Sequence, residues 1–264
     1  MFLPEAECVR RWLSERVSGR RLRAVHRASP TALEGAHDAL IGRPLTGVER
    51  LGRTITLRFD AHALDLCPGR RGALFVGRKD RDVPAHWRLA LELDTAALWL
   101  VDPGRGSRAR VRLDGQPRLC ARTAAPDALS ADFDLASLKQ VLAGKRRTMG
   151  RLLVDEQQIA GISEACADEI LHASRVRPSR SVSTLSEVEA RALYYAIIEV
   201  LQKAVRFGGT SDALCPLIEG APGRFGGLHS VHGRAGQPCT TCGGVVRRSR
   251  VRDVSGFYCP RCQR

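Results

Sequence analysis

From the amino end, apolar residues first recur at helical spacing. Over residues 4–18, Val9, Trp12, Leu13 and Val17 share one face, Pro4 stands early where its missing N–H costs little, and Gly19 follows, so the pattern predicts a short helix. From about residue 20 to 125 the period shortens to two. Thr54-Ile55-Thr56-Leu57-Arg58-Phe59, Leu89-Ala90-Leu91-Glu92-Leu93 and Leu98 to Val101 are short runs separated by Gly, Pro and Asp, which predicts a mostly antiparallel β domain. Residues 124–133 (AAPDALSADF) read as a linker. From Asp134 the helical period returns, with helices expected at about 134–143, 147–156, 162–174 and 185–206. In the last of these, Leu185, Val188, Leu193, Ile197, Val200, Leu201 and Ala204 form an apolar stripe. Residues 207–235 are Gly-rich, lack apolar periodicity and read as loop ahead of a compact cysteine-bearing element. No internal repeat or low-complexity tract interrupts this α+β order.

Composition narrows the class. A chain of 264 residues has room for about two domains and a sizeable core. No apolar run approaches the roughly 20 residues of a membrane span, and residues 1–30 carry arginines and acids throughout, unlike a secretory signal, so no membrane partner and a cytoplasmic location are expected. Forty-two basic against 28 acidic residues give a formal charge of +14, which points to a polyanionic partner, with nucleic acid first. Only Lys79, Lys139, Lys145 and Lys203 are lysines, and arginine suits bidentate phosphate contact. A GC-rich genome is the better explanation of that ratio, but not of the net charge. Thirteen aromatics argue against a platform that stacks single-stranded bases.

Four of the nine cysteines fall as Cys239-x-x-Cys242 and Cys259-x-x-Cys262 with sixteen residues between the pairs. Two such knuckles on a hairpin complete a tetrahedral sulfur shell for one structural Zn²⁺ with no open position for substrate. Gly243-Gly244 supplies the turn after the first pair, and Val245-Val246 with Phe257-Tyr258 are expected as the hairpin strands. Two redox-active CxxC pairs are the alternative, disfavoured because neither sits in a βαβ pattern. Between the knuckles, Arg247, Arg248, Arg250 and Arg252 suit phosphate or groove contact, against the plainer reading of a solvated face. Cys8, Cys67, Cys120, Cys166 and Cys215 are scattered and read as small core residues.

The order of parts and several specific stretches resemble the formamidopyrimidine-DNA glycosylase and endonuclease VIII family of base-excision repair enzymes. The stretches are Leu3-Pro4-Glu5-Ala6-Glu7-Cys8-Val9-Arg10-Arg11; Leu152-Leu153-Val154-Asp155 with Ile159-Ala160-Gly161-Ile162; Ala167-Asp168-Glu169-Ile170-Leu171; Gly208-Gly209-Thr210; and Val231-His232-Gly233-Arg234-Ala235-Gly236-Gln237-Pro238-Cys239 through Cys262-Gln263. The resemblance implies an N-terminal β-sandwich over residues 1–125, a helix-two-turns-helix DNA-binding domain over 126–225, and a four-cysteine zinc finger over 226–264 whose tip contacts DNA. It further implies a monomer that binds damaged or distorted double-stranded DNA and associates with the bacterial nucleoid.

The same resemblance exposes departures. Family members begin, after Met removal, with a proline whose amine attacks C1′ of the damaged nucleotide and a glutamate that handles protons. Counting back from Leu3-Pro4-Glu5, a register in which no residues are missing, those positions hold Met1 and Phe2. Phe2 hinders removal of the initiator, so Met1 is expected to stay and present a primary α-amine, with a reference pKa of about 7.7–8.0. That amine can form an imine at an abasic aldehyde, whereas Phe2 cannot act as acid or base. Glu5 or Glu7 could take over proton handling, or could simply favour the helix dipole.

Among phosphate contacts, Arg53 stands for a family lysine. Gly150 replaces another with Arg151 beside it, Ser163-Glu164 replaces Gly-Asn, and Val254 replaces a finger arginine. Arg70 and Arg105 lie in the segments that fill the gap left by an extruded base, where Asp102-Pro103-Gly104-Arg105-Gly106-Ser107 departs from Asp-Pro-Arg-Arg-Phe-Gly. The expectation is a zinc-containing damaged-DNA-binding protein with the glycosylase and lyase residues lost or rewritten. The alternative is an active glycosylase or abasic-site lyase using the Met1 amine on an atypical lesion, and a non-repair DNA binder is a third reading.

Overall fold

The computed structural model describes residues 1–69, 71–78, 83–94, 96–104, 106–119, 125–209, 223–251 and 254–264, with backbone alone at 250, 251, 254 and 255. Two compact units are built on Met1–Arg122 and on Thr123–Thr210 with Arg224–Arg264.

The first unit opens with helix α1 (Leu3–Arg16), its start permitted by Pro4 in the first turn. Strands follow as β1 (Leu22–Arg27), β2 (Gly47–Leu51), β3 (Thr54–Phe59), β4 (His62–Cys67), β5 (Ala73–Gly77), β6 (Trp87–Leu93), β7 (Ala97–Val101) and β8 (Arg108–Leu113). They pair antiparallel in two four-stranded sheets, β1-β6-β7-β5 and β2-β3-β4-β8. Because side chains alternate along a strand, Ile55, Leu57 and Phe59 of one sheet and Leu89, Leu91, Leu98 and Leu100 of the other meet in one core with Val9, Leu13 and Val17. This is a β-sandwich with a helix on it. The intervening positions face away. Asp65, between Leu64 and Leu66, is fully buried there and accepts from Thr56 Oγ1 at 2.8 Å, Arg112 Nε at 3.0 Å and the Leu119 amide at 2.7 Å. A buried charge is tolerated because its oxygens are occupied. Cys67, read from the sequence as a core thiol, is disulfide-bonded.

In the second unit, Asp134 caps α2 (Leu135–Leu142) by accepting from the Ser137 amide at 2.7 Å. Helices α3 (Met149–Leu153), α4 (Glu164–Ala173) and α5 (Glu187–Arg206) follow. Ser186 and Glu189 form a capping box that starts α5 at Glu187. That start corrects the expected stripe: Leu185 precedes the helix, and Val188, five residues and so about 140° round from buried Leu193, is 78% exposed. Leu193, Ile197, Val200, Leu201 and Ala204 are buried as expected.

The finger hairpin is β9 (Arg247–Val251) against β10 (Val254–Tyr258), with Phe257 opposite Arg248 and Tyr258 opposite Arg247. The expected strand residues Val245-Val246 lie just outside it. The first knuckle closes through Gly243 N to Cys239 O at 2.9 Å and Cys239 N to Gly244 O at 2.7 Å, so the next two residues turn back on Gln237-Pro238. No helix among the described residues is long and apolar enough to cross a membrane.

Candidate functional site

The sulfurs of Cys239, Cys242, Cys259 and Cys262 lie within 4.8 Å of one another, with Cys239–Cys262 at 3.8 Å and Cys242–Cys259 at 3.5 Å. Tetrahedral Zn–S bonds of about 2.3 Å require sulfur separations of about 3.8 Å, so the cluster suits one zinc ion. Burial and the three neighbouring sulfurs push the Cys262 thiol well above its ordinary range. A cation is what makes four thiolates tolerable there.

The finger is fastened to α4 by polar groups that the helix presents along one side. Glu169 accepts three consecutive amides, from Ser230 at 2.7 Å and from Val231 and His232 at 2.9 Å each. Asp168 lies 2.7 Å from His232 Nδ1, and burial raises its carboxyl to about 6 despite that partner. Nε2 of His172 lies 3.4 Å from Cys239 Sγ, and burial keeps this imidazole below its ordinary pKa. Gln263 accepts from the Cys259 amide at 2.8 Å and donates to Val176 O at 2.9 Å. Asp168 and Glu169 belong to a stretch that carries the resemblance, yet adjacent acids on a helix resemble a solvated face, so their role as anchors was not readable.

Arg247 and Arg248 are exposed on β9, the latter with its guanidinium 5.6 Å from the Phe257 ring. Arg151 is exposed on α3. Arg70, Arg105, Arg252 and the side chain of Arg250 lie outside the described residues. Ser163 caps α4 by accepting from the Cys166 amide at 3.1 Å, and Glu164 is exposed in the first turn.

In the first unit the structure gathers Met1, Glu5, Glu7 and the β2–β3 turn around the start of α1. The Met1 side chain enters the sandwich core, and its amine donates to Gly72 O at 2.8 Å and Gly69 O at 3.4 Å. Phe2 is the extended N-cap residue and supplies no side-chain cap. Glu5 is 3% exposed. Glu7 is a different kind of group. Burial alone would raise its carboxyl, but charge-assisted bonds from Arg10, Arg50 and Arg11 outweigh it and hold the group at about 2. The group is therefore an anion at neutral pH. Its partner Arg50 also donates to Gly52 O at 3.0 Å and so braces the turn that presents half-buried Arg53.

The carbonyls that receive the Met1 amine belong to a loop tied to a second one. Gly69 N donates to Ser107 Oγ at 2.9 Å, and Ser107 N donates to Asp102 Oδ2 at 2.5 Å. Gly104 N reaches Asp102 Oδ1 at 2.9 Å. The fit requires glycine, since a Cβ on Gly72 would collide with Ser107 Oγ and lie 2.8 Å from Gly69 N.

Residues 3–109 match the formamidopyrimidine-DNA glycosylase N-terminal domain and residues 124–214 the formamidopyrimidine-DNA glycosylase H2TH domain. The formamidopyrimidine-DNA glycosylase of Mycobacterium ulcerans (strain Agy99) is 33% identical over 288 residues, covering 99% of this chain and 97% of the relative. That of Corynebacterium aurimucosum is 34% identical over 275 residues, covering 99% and 95%. Among solved structures, the MutM (Fpg) protein of Thermus thermophilus superimposes with a TM-score of 0.88 at 33% identity, covering 100% of this chain and 98% of that one. Lactococcus lactis Fpg, solved in complex with abasic-site-containing DNA, superimposes with a TM-score of 0.87 at 25% identity over the whole of both chains. A sandwich led by α1, capped helices carrying the H2TH match, a four-sulfur cluster on a hairpin and full-length likeness to these proteins converge: the chain belongs to the formamidopyrimidine-DNA glycosylase family.

Proposed function

We propose that this protein binds damaged or distorted double-stranded DNA and that its base-excision chemistry is lost or rewritten at the amino end. The observation that carries the reading is the group at the start of α1. Phe2 offers no proton where the family resemblance places a glutamate, Glu7 is held ionised by three guanidinium groups, and Met1 is 6% exposed with its amine donating to two backbone carbonyls. DNA contact falls to Arg53, Arg70, Arg105 and Arg151 and to Arg247, Arg248, Arg250 and Arg252 of the finger. A single Zn²⁺ on Cys239, Cys242, Cys259 and Cys262 supplies structure and no chemistry. The formal charge of +14 supports the polyanionic partner. The division 1–125, 126–225 and 226–264 assigns the sandwich, the helical domain and the finger their separate shares of that contact.

A second reading has one observation in its favour: the Met1 amine is held at a defined place by Gly72 O, at the start of the helix whose first turn carries buried Glu5, which suits a Schiff-base nucleophile with Glu5 handling protons. Borohydride trapping on a duplex with one abasic site, with the adduct mapped by peptide mass, separates the two. No adduct under conditions of demonstrated binding is expected. An adduct on Met1 would overturn the leading reading and turn the search to the base that is removed.

A further inference from the structure

Two connections of the first unit meet at the amino terminus. One runs from β4 to β5 and supplies Gly69 and Gly72; the other runs from β7 to β8 and supplies Asp102 and Ser107. Because β4 pairs with β8 and β5 with β7, both loops pass from one sheet to the other at the same end of the sandwich. In the β7–β8 loop, buried Asp102 accepts from Gly104 N at 2.9 Å and from Ser107 N at 2.5 Å, which closes the loop on itself and fixes Ser107. The Ser107 hydroxyl then accepts from Gly69 N at 2.9 Å. In the β4–β5 loop, Gly72 N donates to Gly69 O at 2.9 Å, and the oxygens of Gly69 and Gly72 receive the Met1 amine. One side-chain hydroxyl thus stands between the second loop and the loop that holds the amine.

Glycine marks the crossing. A Cβ on Gly69 would lie 2.9 Å from Gly106 C and 3.1 Å from Ser107 N, and one on Gly72 would overlap Ser107 Oγ. Neither glycine has a left-handed φ, so the backbone turn does not require glycine at these positions, whereas close approach of the two loops does. The need of a buried terminus for acceptors explains the two carbonyls. It does not explain why the loop that carries them is clamped by a hydroxyl from a second loop. Ser107 moreover stands where the family pattern Asp-Pro-Arg-Arg-Phe-Gly ends in glycine, so the clamping hydroxyl belongs to this chain's departure from that pattern.

We propose that Ser107 is the positioning residue of a latch that holds the β4–β5 loop against Met1 and thereby withholds the α-amine from carbonyl compounds. The proposal rests on the reading of the amino end given above and adds how its amine is kept from reacting. Addition of an amine to an aldehyde forms the C–N bond and expels water, and the nitrogen must present its lone pair to the incoming carbon. Met1 is 6% exposed and its bond to Gly72 O is buried, so that approach requires the β4–β5 loop to move. Ser107 touches no reacting atom; it acts on the amine only through Gly69 and Gly72.

The test labels the full-length, zinc-loaded protein, without DNA, using formaldehyde and cyanoborohydride. Formaldehyde condenses with the amine to an iminium with loss of water, and hydride from cyanoborohydride reduces it to the N-methylamine. The rate is read at Met1 by peptide mass, with exposed Lys203 as internal reference. In wild type the Met1 rate is expected to be about tenfold lower in the folded protein than in urea, because labelling waits on local opening. Ser107→Gly should raise the folded rate about fivefold with Lys203 unchanged, and Ser107→Thr, which keeps the hydroxyl, should recover most of the protection. Ser29→Gly, outside both loops, should label as wild type. The latch is overturned if folded wild type labels as fast as in urea, or if Ser107→Gly labels at the wild-type rate. It is equally overturned if Ser107→Thr labels as fast as Ser107→Gly, or if Ser29→Gly accelerates as much, which would trace the rise to general loosening. Its failure is distinct from that of the DNA-binding reading. An adduct on Met1 with an abasic duplex overturns that reading and leaves these DNA-free rates untouched, whereas fast labelling of wild type with no abasic adduct does the reverse.

Discussion

The finger and the amino end are built on opposite plans. In the finger, the ligands come from two short motifs, and the element is fastened through bonds that run to backbone: Glu169 to the amides of Ser230, Val231 and His232, Gln263 to Cys259 N and Val176 O. Around Met1, the partners arrive from a loop about 70 residues away, Gly69 and Gly72 by their carbonyls, and that loop is tied in turn to the Ser107 hydroxyl through Gly69 N. A local metal motif tolerates change in the rest of the chain, because its geometry is carried by a few adjacent residues. A site assembled from distant loops depends on each of them.

The largest effect that would break this contrast is in the finger. Cys259→Ser should bring metal content well below one zinc per chain and weaken duplex binding at least tenfold, since zinc coordination supplies a domain of this size with most of its folding free energy. Full zinc occupancy by metal analysis would show that three sulfurs suffice. Next, Glu169→Ala leaves three amides, one buried and two partly buried, without an acceptor and should cost about 3 kcal/mol by chemical denaturation. A loss below about 1 kcal/mol would mean the finger is held by its metal alone.

At the amino end the expected effects are smaller. Gly72→Ala should cost about 2 kcal/mol, because the new Cβ meets Ser107 Oγ and Gly69 N. Adding Ser107→Ala should restore only part of it, since Gly69 N remains in the way, and complete restoration would disprove the interlock of the two loops. Glu7→Gln should cost about 1–2 kcal/mol at pH 7 after allowance for solvent screening of the exposed Arg11. The Glu7 carboxyl is lowered when folded, so its contribution is fully present above about pH 4.5 and is lost as pH falls toward about 2. Thermal midpoints of variant and wild type should therefore converge on acidification; a constant gap would point to packing instead. The smallest expected change is in Arg247→Gln with Arg248→Gln, which should lower the salt slope of duplex binding by about two and leave zinc content unchanged. An unaltered slope would remove these two residues from the interface.

Much of this was legible in the chain. The capped helices follow Asp134, Ser163 and Ser186, the strands at 54–59, 87–93 and 97–101 follow the alternation, and the two CxxC pairs converge as their spacing requires. The exceptions share a cause. Val188 was counted in the apolar stripe but stands about 140° round α5 from Leu193 and is exposed. Val245-Val246 look like strand, but the knuckle turns them back on Gln237-Pro238.

By itself the sequence determined what depends on local spacing. Periodicity chooses helix or strand, side-chain oxygens choose where helices begin, and cysteine spacing chooses the metal, because each acts over a few residues. Tertiary structure alone decided the state of the charged groups. To the Arg10 and Arg11 that α1 itself sets beside Glu7, β2 added buried Arg50 from 43 residues away, and Glu169 became an anchor when the finger offered three amides. The work done by a charge depends on burial and on neighbours within a few ångströms, and in these cases folding supplied both from elsewhere in the chain.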